Sequence, residues 1–189
     1  NPFTIEVGNS YVDAGATAFD AVDGNITAHI VMSTNIDITK VGCYEVIYTV
    51  YDAAGNYDSA VRVVCVTPDT TSPIITLLGN ATDTIEVFNS YNDSGVMSID
   101  PVWGTPITNI SITSNLDTAK LGTYTITYTA TDSSGNHASV SRTIVVVDTT
   151  APVITLKGND PMIVDVHTSF IDPGANATDN YWNPVSVVV

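Results

Sequence analysis

One block of sequence is written into this chain twice in full and a third time in part. The segment GTYTITYTATDSSGN from Gly122 restates GCYEVIYTVYDAAGN from Gly42, and DTTAPVITLKGN from Asp148 restates DTTSPIITLLGN from Asp69. The two DTT openings stand 79 residues apart, and Asp52 and Asp132 stand 80 apart. A third motif, Ser-Tyr-x-Asp-x-Gly, occurs at Ser10–Gly15 and Ser90–Gly95, and returns with Phe for Tyr at Ser169–Gly174. A period near 80 is too long for a solenoid turn and suits a small domain with its own core. The repeats read as 1–68, 69–147 and 148–189. The first lacks the DTT opening and the third ends partway through the unit, so the chain reads as a window on a longer array.

Within each repeat the pattern is that of strands. Tyr44, Val46, Tyr48 and Val50 alternate with the residues between them, as do Tyr124, Ile126, Tyr128 and Ala130. That period of two predicts half-buried β-strands, and no window carries a helical apolar stripe. Turns rich in Asp, Asn and Gly divide the unit into about seven strands, the spacing of an all-β Greek-key sandwich. In Asp52–Asn56 and Asp132–Asn136, the Asp hydrogen-bonds its own loop and Gly55 or Gly135 takes the left-handed turn position. Gly42 and Gly122, each two residues before a Tyr, read as a tyrosine corner, in which the phenol ties back to upstream backbone. Cys43 and Cys65 lie nine positions either side of the Asp52–Asn56 hairpin and so face each other across neighbouring strands. They form a cross-strand disulfide or remain two half-buried thiols, and repeat two carries Thr123 and Val145 instead.

Charge excludes some functions. The 20 acidic residues outnumber 5 basic ones, for a net charge of −15. Nucleic-acid binding needs Lys and Arg to displace counterions, and an anionic membrane surface would repel such a chain. Four basic residues recur in frame, Lys40 with Lys120 and Arg62 with Arg142, as expected of framework ion pairs. The acidic excess keeps long arrays soluble and apart, or it serves a cation.

Taken together, DTTxPxITLxG, Y-x-D-x-G, G-x-Y-x-I-x-Y-x-x-x-D-x-x-G-N and R-x-V-x-V span the chain. This combination resembles the hyalin-repeat-like and bacterial immunoglobulin-like modules found in tandem on secreted and surface proteins. The resemblance implies tandem immunoglobulin-like sandwiches with no catalytic role. They would form an elongated extracellular or cell-surface stalk or filament. Its partners would be neighbouring repeats, copies of itself, or surface glycans and proteins. The other reading is a carbohydrate-binding or accessory module of a larger secreted enzyme.

In that topology the incoming linker, one inter-strand loop and the final hairpin share one end of the domain. Asp69, Asp100, Asp132 and Asn136 then converge where repeats one and two meet, and Asp148 with Asp179 where two meets three. Calcium takes six to eight oxygen ligands of this kind, so an interdomain calcium is one expectation; turn-capping aspartates that bind no ion are the other. Asp20, Asp23 and Asp52 are the matching set in repeat one. Trp103 and Trp182, at loop tips where repeat one has Asp23, either stiffen a junction or meet a partner. Sequons place candidate glycans at Asn25, Asn80, Asn92, Asn109 and Asn176, with Asn80 and Asn176 expected in loops. Three histidines sit at unrelated repeat positions, and no nucleophile elbow, phosphate loop or Cys/His metal set is present, which argues against catalysis.

Overall fold

The computed structural model describes residues 2–182 and 185–188, so the outermost residues of the first and third repeats lie outside the described residues. Among the described residues fourteen strands follow one another. They are β1 Phe3–Glu6, β2 Phe19–Asp20, β3 Gly24–Asn25, β4 Val31–Thr34, β5 Gly42–Tyr51, β6 Tyr57–Thr67 and β7 Ile74–Leu77. After these come β8 Thr82–Glu86, β9 Val96–Ile99, β10 Ile110–Ser114, β11 Gly122–Thr131, β12 His137–Val147, β13 Val153–Leu156 and β14 Ala175–Thr178. Among the described residues there is no α-helix, and none that could cross a membrane; a 3-10 turn spans Thr27–His29.

The first two repeats share one plan in their larger sheet. Sheet order is β1-β6-β5-β4 in the first and β8-β12-β11-β10 in the second. In both, the outermost strand runs parallel to the last one, Phe3 beside Val64 and Thr82 beside Thr143. Parallel pairing at that edge requires a crossover, and in repeat two the chain between β8 and β12 passes through β9, which pairs with β7 in a second, smaller sheet; β13 and β14 pair likewise in repeat three. Repeat two therefore has six strands, and a single bridge between Ile99 and Pro106 extends the small layer.

By proximity the described residues gather into two compact units that cut across the sequence repeat. One comprises Asn1–Thr76, Met97–Ser111 and Thr129–Ser139, the other Leu77–Val96, Ile112–Tyr128 and Val140–Val189.

In the first unit β5 and β6 form a hairpin whose register runs from Gly42 beside Val66 to Tyr51 beside Tyr57. Inward residues of the alternation, Val46, Tyr48 and Val64, are buried and pack with Ile5, Tyr11, Ile30 and Ile36. Cys43 sits opposite Cys65 in that register and the two are bonded. The phenol of Tyr44 donates to the Lys40 carbonyl at 2.8 Å, as Tyr124 does to Lys120 at 2.9 Å in the second unit. Each phenol closes the corner that leads into the penultimate strand.

The Ser-Tyr-x-Asp-x-Gly motif supplies the polar part of each core. Asp13 accepts the Tyr11 and Tyr48 hydroxyls, both at 2.5 Å, and pairs with Arg62 at 2.7 Å. In the second unit Asp93 accepts the Tyr128 hydroxyl and lies 3.4 Å from Nε of Arg142, which also meets Asp83 at 3.5 Å. Burial pushes the Asp13 carboxyl up, but the Tyr11 and Tyr48 hydroxyls, the Gly15 N–H and Arg62 outweigh it and hold it at about 2. Its ordinary value, and hence that of the unfolded chain, is 3.8. The charged carboxylate therefore stabilises the fold fully above about pH 4, and that contribution fades as the pH falls to about 2. Acid titration of the chain followed by near-ultraviolet circular dichroism should show this loss of stability between pH 4 and 2, and Asp13→Asn should flatten that segment of the curve.

Candidate metal centre and repeat junctions

Three aspartates from distant parts of the sequence meet in the first unit. Asp69 comes from the linker after β6, Asp100 from the turn after β9, and Asp132 from the hairpin between β11 and β12. Their carboxylate oxygens lie within 4.8 Å of one another, the only such acidic trio among the described residues. All three are buried, at 5%, 2% and 7% exposure. Each also has a local task. Asp69 Oδ1 accepts the Thr71 N–H at 2.9 Å; Asp100 Oδ1 accepts those of Val102 and Trp103; Asp132 Oδ1 accepts those of Ser134 and Asn136. Asn136 completes the group, its amide donating to Asp132 Oδ2 at 3.0 Å and to the Asp69 carbonyl at 3.2 Å. Burial pushes Asp132 up, but the bonds from Asn136 and the loop N–H groups bring it below its ordinary value.

Turn capping uses one oxygen of each carboxylate and leaves a question of charge. Lys40, Arg62, Lys120 and Arg142 are paired with Asp37, Asp13, Asp117 and the Asp83–Asp93 pair respectively, and Lys157 is exposed. No basic side chain among the described residues pairs with Asp69, Asp100 or Asp132. Buried like charges without a counterion are costly. An all-oxygen donor set of this kind matches a hard divalent cation such as calcium, and offers nothing to a thiolate-seeking metal.

The linkers are held by side chains that sequence patterns did not single out. Glu6, at the end of β1, accepts the hydroxyls of Thr70 and Thr71, the latter at 2.7 Å. The same linker meets the repeat-two hairpin, where Ser134 donates to Asp69 Oδ2 at 3.2 Å. In the second unit Glu86 takes the Thr149 hydroxyl at 2.6 Å, the Thr150 hydroxyl at 2.8 Å and the Asn180 amide at 3.2 Å. The Thr149 and Thr150 hydroxyls, against the opposing effect of burial, hold Glu86 at about 2, and Thr70 with Thr71 lowers Glu6 in the same way. The signal was present in the sequence as Ile5-Glu6-Val7 and Ile85-Glu86-Val87, each followed by x-Asn-Ser-Tyr.

Aromatic residues close both junctions. A side chain at Gly8 would meet Val102 Cγ1 at 2.8 Å and the Trp103 ring at 3.3 Å, so the left-handed glycine there (φ 86) lets the loop lie directly on the backbone. The matching residue, Phe88 (φ 67), instead meets Tyr181 at 6.1 Å, and Tyr181 packs edge-on against Trp182 at 5.2 Å. Asp148 and Asp179 lie near each other: burial first, then the charges of Asp179 and Glu86, raise the Asp148 carboxyl. Asp20 caps the turn at Val22 and Asp23, and Asp23 reaches the N–H of Ala53 at 2.8 Å, beside Asp52. All five sequon asparagines are exposed. Asn80 lies in the loop between β7 and β8, whereas Asn176, expected in a loop, lies in β14 opposite Thr155, because the strand starts immediately after Gly174.

The profile of the family described as "Bacterial surface protein, Ig-like domain" matches residues 1–66 and again 75–146. The chain belongs to that family. It is 36% identical over 146 residues to an uncharacterised 81.3 kDa protein of Acholeplasma phage L2, covering 72% of this chain and 19% of that one. It is also 36% identical over 159 residues to hyalin of Strongylocentrotus purpuratus, covering 79% of this chain and 13% of hyalin. The chain thus spans a fifth or less of the length of these relatives. Among solved structures, a Clostridium perfringens ZmpB chain holding the M60 catalytic domain and two CBM51 domains aligns at a TM-score of 0.51. It is 14% identical, with 82% of this chain and 32% of that one covered. That likeness speaks for the fold.

Proposed function

We propose that this Ig-like segment is a non-catalytic, mechanical part of an extracellular surface stalk, stiffened where repeats one and two meet by calcium held at Asp69, Asp100 and Asp132 with Asn136 beside them. The observation that carries the reading is the linker at Asp69–Thr71. Its threonines are bonded to Glu6 of repeat one, and its aspartate to Ser134 and Asn136 of repeat two. A linker tied from both sides loses the torsional freedom of an ordinary tether. The buried aspartates add a point where a cation would join the linker and the hairpin to the turn after β9. In this reading the partners are neighbouring repeats, and the acidic surface keeps parallel stalks apart.

Small-angle scattering of the 189-residue chain in calcium and in chelator tests this. An extended particle whose distance distribution sharpens in calcium is the expected result. A broad ensemble of interdomain arrangements in both conditions would remove the mechanical reading. The second reading, an accessory module of a secreted enzyme, draws on the company such folds keep in the Clostridium perfringens chain, and predicts saturable binding on a glycan array.

A further inference from the structure

The turn that follows β1 and the turn that follows β8 are built alike. The Val7 N–H donates to the Thr67 carbonyl at 2.9 Å, and the Val87 N–H to that of Val147 at 2.7 Å. The next residue donates to the Ile38 carbonyl at 2.8 Å from Gly8, and to the Thr118 carbonyl at 2.7 Å from Phe88. Asn9 and Asn89 then close each turn on the carbonyls of Glu6 and Glu86. This bonding holds the central residue in the left-handed region, at φ 86 for Gly8 and φ 67 for Phe88. Glycine takes that conformation freely, whereas a bulky side chain is strained in it. The framework would be served by glycine at both places. Repeat two nonetheless carries phenylalanine, and the side chain is 57% exposed, so it fills no core of its own repeat.

What the ring meets is the following repeat. It lies 6.1 Å from the ring of Tyr181, which packs edge-on against Trp182. Counting from the turn aspartates Asp100 and Asp179, Val102 corresponds to Tyr181 and Trp103 to Trp182. At the earlier junction those two positions close directly onto Gly8. A Cβ there would stand 2.8 Å from Val102 Cγ1 and 3.3 Å from the Trp103 ring. Val102 has little freedom to swing clear. Its side chain is branched at Cβ, and its N–H and that of Trp103 are pinned to Asp100 Oδ1 at 2.8 and 3.1 Å. A phenylalanine side chain therefore has no room under the Val-Trp turn, and a glycine would leave the Tyr-Trp turn without its ring contact.

We propose that the left-handed residue after β1 and after β8 selects the repeat that can follow: glycine takes a Val-Trp turn, and phenylalanine takes a Tyr-Trp turn. Selection of this kind rests on the reading that successive repeats are one another's partners, and it adds an order to them. It is asymmetric. Phenylalanine rejects the Val-Trp turn by overlap, whereas glycine opposite Tyr-Trp only forgoes an aromatic contact. The strain at Phe88 is offset by a contact outside its own repeat.

Trp103 reports the first junction in the 189-residue chain once Trp182→Phe removes the second indole. Acrylamide quenching of its fluorescence measures how far the indole, 40% exposed in the parent, is shielded. Gly8→Phe should raise the quenching constant about twofold or more, and adding Val102→Tyr should recover roughly half of that rise or better. Gly8→Asn carries the same Cβ into the same space, but asparagine tolerates the left-handed region, so it should free the indole without the strain. Circular dichroism checks that each variant is folded, and if Gly8→Phe unfolds the repeat, Gly8→Asn carries the test alone. A folded variant at Gly8 that leaves Trp103 as shielded as in the parent overturns the proposal. So does a Val102→Tyr that recovers nothing in folded Gly8→Phe. Scattering of the parent separates the two readings: a broad ensemble removes the stalk, while the quenching cycle still decides whether Gly8 selects its neighbour.

Discussion

Replacing Arg142 by alanine is expected to lower the stability of the second repeat by about 3–5 kcal/mol, the cost of emptying a wholly buried site and leaving two part-buried carboxylates without their partner. The guanidinium holds the Leu78 and Gly95 carbonyls, lies beside Asp83 and Asp93, and meets the Tyr91 hydroxyl, all without solvent contact of its own. Removing it leaves two carboxylates and two carbonyls facing a cavity. A domain of this size is stable by some 5–15 kcal/mol, and each kcal/mol moves its melting temperature by roughly 4–8 °C. The second-repeat transition should therefore fall by about 12–40 °C or disappear. Arg62→Ala should cost clearly less, because Arg62 is a third exposed and water can replace part of what it does. Scanning calorimetry of both variants decides the matter. If Arg142→Ala melts within a few degrees of the parent, the polar core is not what fixes these repeats. Arg142→Met combined with Asp83→Asn and Asp93→Asn should recover part of the loss, since uncharged residues leave no buried ion behind.

This polar core also marks how far local patterns reach. The alternation in Tyr44–Val50 fixes which side chains enter the sandwich. The Asp52–Asn56 loop fixes the β5–β6 register, and the repeat itself fixes the frame in which Arg62 and Arg142 are equivalent. These follow from short-range geometry, and they were legible in the sequence. So was the end of the domain to which Asp69, Asp100 and Asp132 belong, because strand order assigns each loop to an end. The grip of Glu6 on Thr70 and Thr71 was not. It depends on β1 lying parallel to β6, which brings residues more than 60 positions apart to the same sheet end. No periodicity encodes a parallel edge pairing. Nor does any local pattern foretell that Gly8 is bare so that Trp103 can lie on it while Phe88 meets Tyr181. Those choices are made by the neighbouring repeat, and only the recurrence of Ile-Glu-Val in frame hinted at them.

The Asp69–Asp100–Asp132 trio makes the second large prediction, because the sign of one substitution should depend on the solution. Asp100→Asn keeps an oxygen for the N–H groups of Val102 and Trp103, so the turn survives. In chelator the variant should be more stable than the parent, since it removes one of three buried like charges with no basic partner. Adding calcium should reverse the order. A ligand that binds only the folded state stabilises it by about 2.7 kcal/mol at a hundredfold excess over its dissociation constant. For a domain of this size that is a rise of about 10–20 °C in the parent. The variant, with a neutral amide in place of a hard anionic ligand, should rise by far less. The melting curves should therefore cross as calcium is titrated. Parallel shifts of the two proteins, or none in either, would make these aspartates turn caps and nothing more. The junction would then be held by Glu6, Ser134, Asn136 and the ring of Trp103 without a cation. A crossing, by contrast, ties the cation to the same residues that fix the linker, because Asp69 serves both.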